Sequence, residues 1–329
     1  MKQIKLYIII VSILAVGFLY CKQSRKQLTH NMDKNIVFSG VDATGTSVRI
    51  TQYPANIVSL APSNTEILFD IGLGASITGR TRFCNYPPEV ESIPIVGGFV
   101  DINVERIVAL QPDLVLAIRG NPQKSITELR RLAIKVFALD PKDITDVVRT
   151  IKDIGNITGK KENAEILADN LARRIEVVSE LVKTIPVELR PKVFYGDWKS
   201  PITAAGINNP IDSLITMAGG INIATDSGVS WPHYSFERIL AHNPDIILSG
   251  FKNKEDLVKD QDLLLEEIRN DMLWSKIKAV QTNRIYFIDE DIVMRPGPRM
   301  VDALELLARY FHPDKFNVRA KESSRVLSH

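Results

Sequence analysis

The side chains that most often perform catalysis or bind metal ions are sparse in this 329-residue sequence. It contains two cysteines and five histidines, which are His30, His233, His242, His312 and His329. No Gly-x-Ser-x-Gly or His-Glu-x-x-His pattern is present, so no nucleophile or pair of zinc ligands has an evident base. A site for free zinc or manganese needs several histidines and carboxylates that converge. The sequence therefore predicts neither an enzyme nor a protein-held metal or cofactor.

The first cysteine lies where a lipid anchor is attached in bacterial lipoproteins. Lys2 and Lys5 precede an apolar run over residues 6–20, and Cys21 follows this run directly. Fifteen apolar residues are short for a membrane-spanning helix and fit the core of an export signal. The lipoprotein pattern prefers a small residue where Tyr20 stands. We expect Cys21 to be lipidated, with an uncleaved N-terminal anchor as the alternative, and both place the body outside the cytoplasm.

Length and charge narrow the class of protein further. A chain of 329 residues exceeds one ordinary domain and suggests two lobes, and 45% hydrophobic with 24% charged residues is typical of globular proteins. Residues 1–30 carry a net charge of +5 and residues 315–329 carry +3, so the body carries −6 of the total +2. A body of this sign repels phosphate backbones, which makes nucleic acid an unsuitable partner. If Cys21 is lipidated, Cys84 has no cysteine to pair with.

Strands and helices alternate along the first half of the body. Ser63 precedes Glu66 by three residues, which predicts a capping box that opens a helix ending near Ile71. Asn103 is placed to cap a second helix, and residues 114–118 form an apolar run typical of a buried strand. Alternation of this kind predicts a parallel sheet covered by helices on both faces.

A long helix separates this half from a second half with the same alternation. From Glu162 to Thr184, apolar residues recur at steps of three or four, and Pro186 and Pro191 follow. A helix of this length spans about 30 Å and can join two lobes. We predict an α/β fold with two doubly wound lobes, each a parallel central sheet flanked by helices, joined by one rigid α-helix. The segments are a signal segment (1–21), a tether and N-terminal edge (22–55), an N-terminal lobe (56–145), the connecting helix (146–190), a C-terminal lobe (191–315) and a disordered tail (316–329).

An internal repeat links the two halves. Residues 105–117 read ERIVALQPDLVLA and residues 237–249 read ERILAHNPDIILS, with seven of thirteen positions identical. Two unrelated helix-to-strand segments explain the shared proline but not the paired Glu-Arg-Ile. We therefore expect each lobe to contain a short helix that ends at proline and leads into a buried strand.

Five segments carry a family resemblance, and they cover most of the chain from 57 to 313. They are IVSLAPSNTEILFDIGLG (57–74), FCNYPPEV (83–90), VGGFVDINVERIVALQPDLVLAIRG (96–120), MAGGINIATDSGVSWPHYSFERILAHNPDIIL (217–248) and MRPGPRMVDALELLARYFHP (294–313). In this order they resemble the helical-backbone class of ABC-transporter solute-binding proteins, and within it the cobalamin-binding and iron-siderophore-binding members. The resemblance implies a monomer that binds a bulky metal complex between its lobes with little hinge motion.

The resemblance also implies which side chains line that cleft. Aromatic faces stack on conjugated rings, and the residues at or near the family's pocket positions are Phe83, Phe99, Trp198 and Trp231. Each has an alternative role as a core or loop-anchoring aromatic. The family often has tryptophan or tyrosine where this chain has the two phenylalanines. Tyr86 precedes two prolines and is expected to support its loop.

Polar candidates follow near the C-terminal end of the resemblance. Asp291 corresponds to a cleft position and could accept a hydrogen bond from a ligand, and Arg295 could meet a ligand carboxylate or phosphate. The alternative is a loop ion pair between Arg295 or Arg299 and a neighbouring acid. His233 could ligate a macrocycle's metal or lie in solvent.

Two glutamates are implied to contact the permease. Glu105 and Glu237 begin the two copies of the repeat, and the family's glutamates there meet arginines of a dimeric permease. The alternative is a carboxylate that only stabilises a helix N-terminus.

The function expected is that of an extracytoplasmic lipoprotein that binds cobalamin and delivers it to an ABC permease. Haem or a ferric siderophore is the alternative ligand. A tetrapyrrole chelatase has a similar two-lobed plan, but the export signal argues against a cytoplasmic enzyme. A structural or adhesive surface lipoprotein is a further alternative, which would show no ligand-dependent stabilisation.

Overall fold

The computed structural model describes residues 36–251 and 254–316. The predicted signal segment, Cys21 and the predicted tail beyond residue 316 lie outside the described residues. Within the described ranges, no helix has the length and apolar character needed to cross a membrane.

The N-terminal lobe is built around a four-stranded parallel sheet with the strand order β4-β3-β5-β6. Its elements are β1 (Phe38–Val41), β2 (Ser47–Ile50), β3 (Ile57–Ser59), α1 (Pro62–Asp70), β4 (Ile77–Arg80), α2 (Val104–Ala109), β5 (Leu114–Ile118), α3 (Gln123–Arg131), β6 (Val136–Leu139) and α4 (Ile144–Thr158). All five residues of β5 are buried, as expected for a strand covered on both faces. Strands β1 and β2 form a separate antiparallel hairpin.

The C-terminal lobe repeats this plan. Its sheet has the order β10-β9-β7-β8 and is also parallel. Helix α5 (Lys161–Lys183) leads into β7 (Lys192–Tyr195), α6 (Pro210–Met217), β8 (Ile221–Asn222), α7 (Phe236–His242), β9 (Ile246–Phe251), α8 (Lys254–Asn270), α9 (Lys278–Gln281), β10 (Ile285–Asp289), α10 (Glu290–Met294) and α11 (Met300–Phe311). Short 3-10 turns cover Gly74–Ser76, Pro88–Ser92, Val187–Leu189, Ile223–Ser227 and Trp274–Lys276. The predicted α/β fold class is confirmed.

The internal repeat corresponds to equivalent structure in the two lobes. Helix α2 leads into β5 and helix α7 leads into β9. Strand β5 pairs with β3 in the first lobe, and β9 pairs with β7 in the second. Asp113 accepts hydrogen bonds from the backbone N–H of Asn56 at 2.8 Å, just before β3. At the matching repeat position, Asp245 accepts from the N–H of Lys192, the first residue of β7, at 2.8 Å. Both aspartates therefore anchor the start of the neighbouring strand.

The long connecting helix is observed within one residue of its predicted ends. Helix α5 has 23 residues and buries Leu171, Ile175 and Val178 on one stripe. It packs against α4 on one side and against α6 and α11 of the C-terminal lobe on the other. Arg174 donates to Glu305 of α11 at 2.8 and 2.9 Å, which ties the connector to the last helix.

The predicted capping box at Ser63 and Glu66 is wrong. Helix α1 begins at Pro62, its N-cap is Ala61, and no side chain caps it. Both Ser63 and Glu66 are buried. Glu66 lies inside the fold because its partner is an arginine of the other lobe, described below.

Candidate functional site

A cavity of about 960 Å³ lies between the two lobes. Its N-terminal wall comes from loops that follow β3, β4, β5 and β6, so the cavity lies at the carboxyl end of the parallel strands, where ligands bind in open α/β sheets. The lining residues are Ala61, Pro62, Ser63, Phe83, Phe99, Ile118, Arg119, Asp140, Pro141, Lys142, Asp143, Asn208, Asn209, Pro210, Ser213, Met294, Arg295 and Pro296. The volume suits one large ligand.

Three helices begin at this cavity. Helices α1, α4 and α6 start at Pro62, Ile144 and Pro210, each within or next to the lining set. Asp143 accepts from the N–H of Asp146 to cap α4, and Asn209 caps α6 in the same way. Helix N-termini carry partial positive charge, and at α4 the Asp143 carboxylate offsets it.

Two of the four predicted aromatics line the cavity. Phe83 is 49% exposed, and its neighbour Cys84 is buried, so the loop is fixed while the ring is open to the cleft. The backbone of Phe99 is fixed by Asn121, whose side-chain amide donates to the Phe99 carbonyl at 3.0 Å. A Cβ at Gly120 would lie 2.8 Å from the Phe99 ring, so the glycine allows this close approach. Both phenylalanines present flat apolar surface where a macrocycle could stack.

The two tryptophans are not among the cavity-lining residues. Trp198 is half-buried against the core of its lobe; its carbonyl accepts from the Trp274 indole at 3.1 Å, and Lys199 lies over its ring. Trp231 is 44% exposed and follows Ser230, whose carbonyl accepts from the lining residue Asn209 at 3.0 Å. Ligand contact by either tryptophan stays a prediction.

Asp291 and Arg295 contact each other. Their ion pair is 2.6 Å long, which corresponds to the loop alternative. Asn85, from the N-terminal lobe, joins them by donating to Asp291 at 2.9 Å and accepting from Arg295 at 2.6 Å. Arg295 lines the cavity, but its guanidinium already has partners, and burial lowers its pKa. This cluster therefore links the two lobes beside the cavity, which only Arg295 of the three residues lines.

A second interlobe contact was missed at the sequence level. Glu66 is 3% exposed and accepts two hydrogen bonds from Arg299, at 2.6 and 2.9 Å, although the two residues are 233 positions apart. Arg299 also lies over the ring of Tyr86, 4.1 Å from its centroid. Support of its own loop by Tyr86 stays a prediction. Burial raises the pKa of Glu66, and Arg299 and Arg295 oppose this rise. The expected partner of Arg299 was a neighbouring acid, and no sequence pattern pointed to Glu66.

Donors for a metal are few around the cavity. The lining residues include Met294 but no histidine, cysteine or tyrosine. His233 is exposed and does not line the cavity. Among the described residues, no group of three or more His, Cys, Asp and Glu side chains is placed to hold a metal ion.

Comparison with known proteins agrees with this two-lobed architecture. The model of the periplasmic binding protein family matches residues 57–292. The chain belongs to this family. An ABC transporter substrate-binding lipoprotein of Bacillus subtilis is 32% identical over 280 residues, which cover 84% of this chain and 85% of the relative. The vitamin B12-binding protein of Photorhabdus laumondii is 29% identical over 259 residues, 78% of this chain and 87% of the relative.

Solved structures show the same fold as this periplasmic binding protein. The haem-binding protein RhuT of Roseiflexus is 26% identical with a TM-score of 0.67, over 79% of this chain and 98% of RhuT. The vitamin B12-binding protein BtuF of Vibrio cholerae is 24% identical with a TM-score of 0.65, over 78% of this chain and 96% of BtuF. The family match and the relative of Bacillus subtilis make this chain a substrate-binding protein of an ABC transporter, which is not an enzyme.

The repeat helices of this periplasmic binding protein present equivalent exposed faces. Glu105 and Glu237 are both exposed, in the first turns of α2 and α7. One turn further along, Val108 and Leu240 are 39% and 41% exposed. Within the described residues, neither glutamate forms an ion pair. The backbone N–H of Glu237 and then the Ser235 hydroxyl lower the pKa of Glu237.

Proposed function

We propose that this periplasmic binding protein captures cobalamin in its interlobe cavity and delivers it to an ABC permease. The supporting observation is a cavity of about 960 Å³ with Phe83 and Phe99 on one wall and no histidine, cysteine or tyrosine in its lining. Cobalamin carries its own axial ligands, so its cobalt needs no donor from the protein. Apolar walls with a few polar groups are the usual design of such sites. The names of several relatives, which are vitamin B12-binding proteins, point the same way.

Haem is the second candidate, and two observations favour it. RhuT, at 26% identity, is a haem-binding protein, and Met294 supplies one thioether in the lining of the cavity. Haem iron in proteins is held by histidine, cysteine, methionine or tyrosine. Only one of these side chains is available in this lining, which makes the cavity poorer for haem than for cobalamin.

A thermal-unfolding panel tests the proposal. Cyanocobalamin, haemin and a ferric siderophore are added separately to the protein lacking residues 1–21. Cobalamin at a hundredfold excess over its dissociation constant is expected to stabilise the fold by about 2.7 kcal/mol. A shift with haemin and none with cobalamin would replace the first candidate with the second, and no shift with any ligand would favour the surface-lipoprotein alternative.

The lipid anchor and the permease contact complete the proposal. Cys21 is proposed to carry the lipid, in line with the lipoprotein of Bacillus subtilis that the chain resembles. Glu105 and Glu237 are proposed to meet basic pockets on the two subunits of the permease. The neighbouring arginines do not neutralise them, because Arg106 donates to the carbonyl of Ile95 and Arg238 pairs with Asp226. One uncompensated carboxylate per lobe suits a two-fold symmetric partner.

A further inference from the structure

The charged side chains that line the cavity have partners in the protein, with one exception. Arg119 pairs with Asp140 at 3.0 Å, and Arg295 pairs with Asp291 at 2.6 Å. Asp143 accepts hydrogen bonds from the Thr145 hydroxyl and from the N–H of Asp146, so its negative charge stabilises the N-terminus of α4. These groups are therefore already compensated before a ligand enters.

Lys142 is the exception. Its side chain is exposed at the cavity, and no acceptor among the described residues lies within hydrogen-bonding or ion-pair distance of its ammonium. Its backbone, in contrast, is fixed, because the N–H of Lys142 donates to the carboxylate of Asp146 at 3.0 Å. Asp146 in turn pairs with Arg149 at 2.8 Å. The loop thus presents an uncompensated cation from an anchored position beside the start of α4.

We propose that Lys142 forms a subsite for an oxyanion on the ligand. An ammonium at the edge of an apolar cavity attracts an anionic group, and a charge-assisted hydrogen bond to it is stronger than a neutral one. This inference rests on the proposed function, in which the oxyanion is the phosphodiester of cobalamin. If the ligand is haem, a propionate carboxylate supplies the same chemistry. The subsite therefore selects ligands that combine a flat macrocycle with an anionic arm.

Two pairs of ligands, one member of each lacking the oxyanion, test the subsite. Cobinamide lacks the whole nucleotide loop of cobalamin, including its phosphodiester, and in the dimethyl ester of haemin only the free carboxylates are blocked. Dissociation constants are measured by titration calorimetry for the wild type and for Lys142→Gln, with Lys124→Gln as the control. Lys124 is an exposed lysine of α3 outside the cavity lining.

Lys142→Gln is expected to weaken cobalamin binding about three- to tenfold and to leave cobinamide binding unchanged. The loss should shrink in 0.5 M salt, because salt screens an exposed charge, and Lys124→Gln should bind both ligands like the wild type. Equal losses for cobalamin and cobinamide, or no loss for either, would overturn the subsite.

The outcome for haemin separates this inference from the proposed function. If the wild type binds haemin and no corrinoid, the cobalamin proposal fails. The subsite then stands only if Lys142→Gln weakens the binding of haemin and leaves the binding of its dimethyl ester unchanged. A wild type that binds neither macrocycle overturns both proposals.

Discussion

At the scale of single residues, the structure changes the role of Glu66. A carboxylate three positions after a serine is typical of a capping box, and the local sequence contains no sign of another partner. The partner, Arg299, belongs to the other lobe and lies 2.6 Å away. Local pattern cannot reveal such a contact, because it depends on how the two lobes pack. The same reason explains why Asn85 was not anticipated as a link to Asp291 and Arg295.

Replacing one residue of the buried Glu66–Arg299 pair should lower the free energy of unfolding more than replacing both. Arg299→Met leaves the Glu66 carboxylate buried without its cation and is expected to lower the free energy of unfolding by about 3 kcal/mol. The double variant Glu66→Leu, Arg299→Met should recover most of this loss. Urea unfolding measures both, with Arg309→Met as an exposed ion-pair control that should cost less than about 1 kcal/mol. A double variant no more stable than Arg299→Met would contradict this account.

Asp70 should make stability depend on pH. Partial desolvation of the Asp70 carboxyl, which still reaches solvent, together with repulsion from Glu66 and Asp302, raises its pKa to about 6. Because the folded state then holds the proton more tightly than the unfolded chain, this residue's contribution to stability falls as pH rises from about 4 to 6.

Asp70→Asn is expected to remove this dependence. At pH 7 the variant should be more stable than the wild type by up to about 1 kcal/mol, a discounted value because the side chain reaches solvent. Below pH 4 the two proteins should unfold alike. Urea titrations at several pH values measure the difference, and parallel curves from pH 4 to 7 would contradict the account.

At the scale of elements, most helices and strands follow from sequence pattern. The ends of α5 were predicted within one residue, because its apolar stripe is regular and prolines follow it. The repeat predicted both α2 with β5 and α7 with β9. Asn103 caps α2 as expected, and Ser235 caps α7 in the same way. The hairpin of β1 and β2 was not predicted. It is held by the buried Asp42, which accepts from the N–H of Ala138 at 3.0 Å, a contact between distant segments.

The repeat helices give the prediction for transport. Glu105→Arg and Glu237→Arg are expected to leave ligand affinity unchanged and to reduce uptake sharply, with the double variant more affected than either single one. Glu128→Arg, a charge reversal on the exposed side of α3, is the control. Ligand binding and uptake into permease-containing vesicles are measured on the same preparations. Full transport by the double variant would show that these carboxylates only stabilise their helices.

At the scale of the whole molecule, the cavity depends on how loops from both lobes meet. Sequence reasoning placed Phe83, Phe99 and Arg295 at the site, and all three line the cavity. It did not select Lys142, which lies outside the five segments that carry the resemblance, or Met294, which begins one of them but was given no role. Which loop side chains face the cleft is decided by the packing of the lobes around α5, and this is set by contacts such as Arg174 with Glu305.

Titration calorimetry with cyanocobalamin tests the central claim most directly. The wild type is expected to bind one cobalamin per chain, and Phe83→Ala, Phe99→Ala should weaken binding by about 1 to 3 kcal/mol through lost stacking surface, without loss of the fold. Thermal unfolding of the ligand-free variants provides the control for folding. Absence of cobalamin binding by the folded wild type, or a double variant that binds as tightly as the wild type, would contradict capture of a corrinoid in the interlobe cavity.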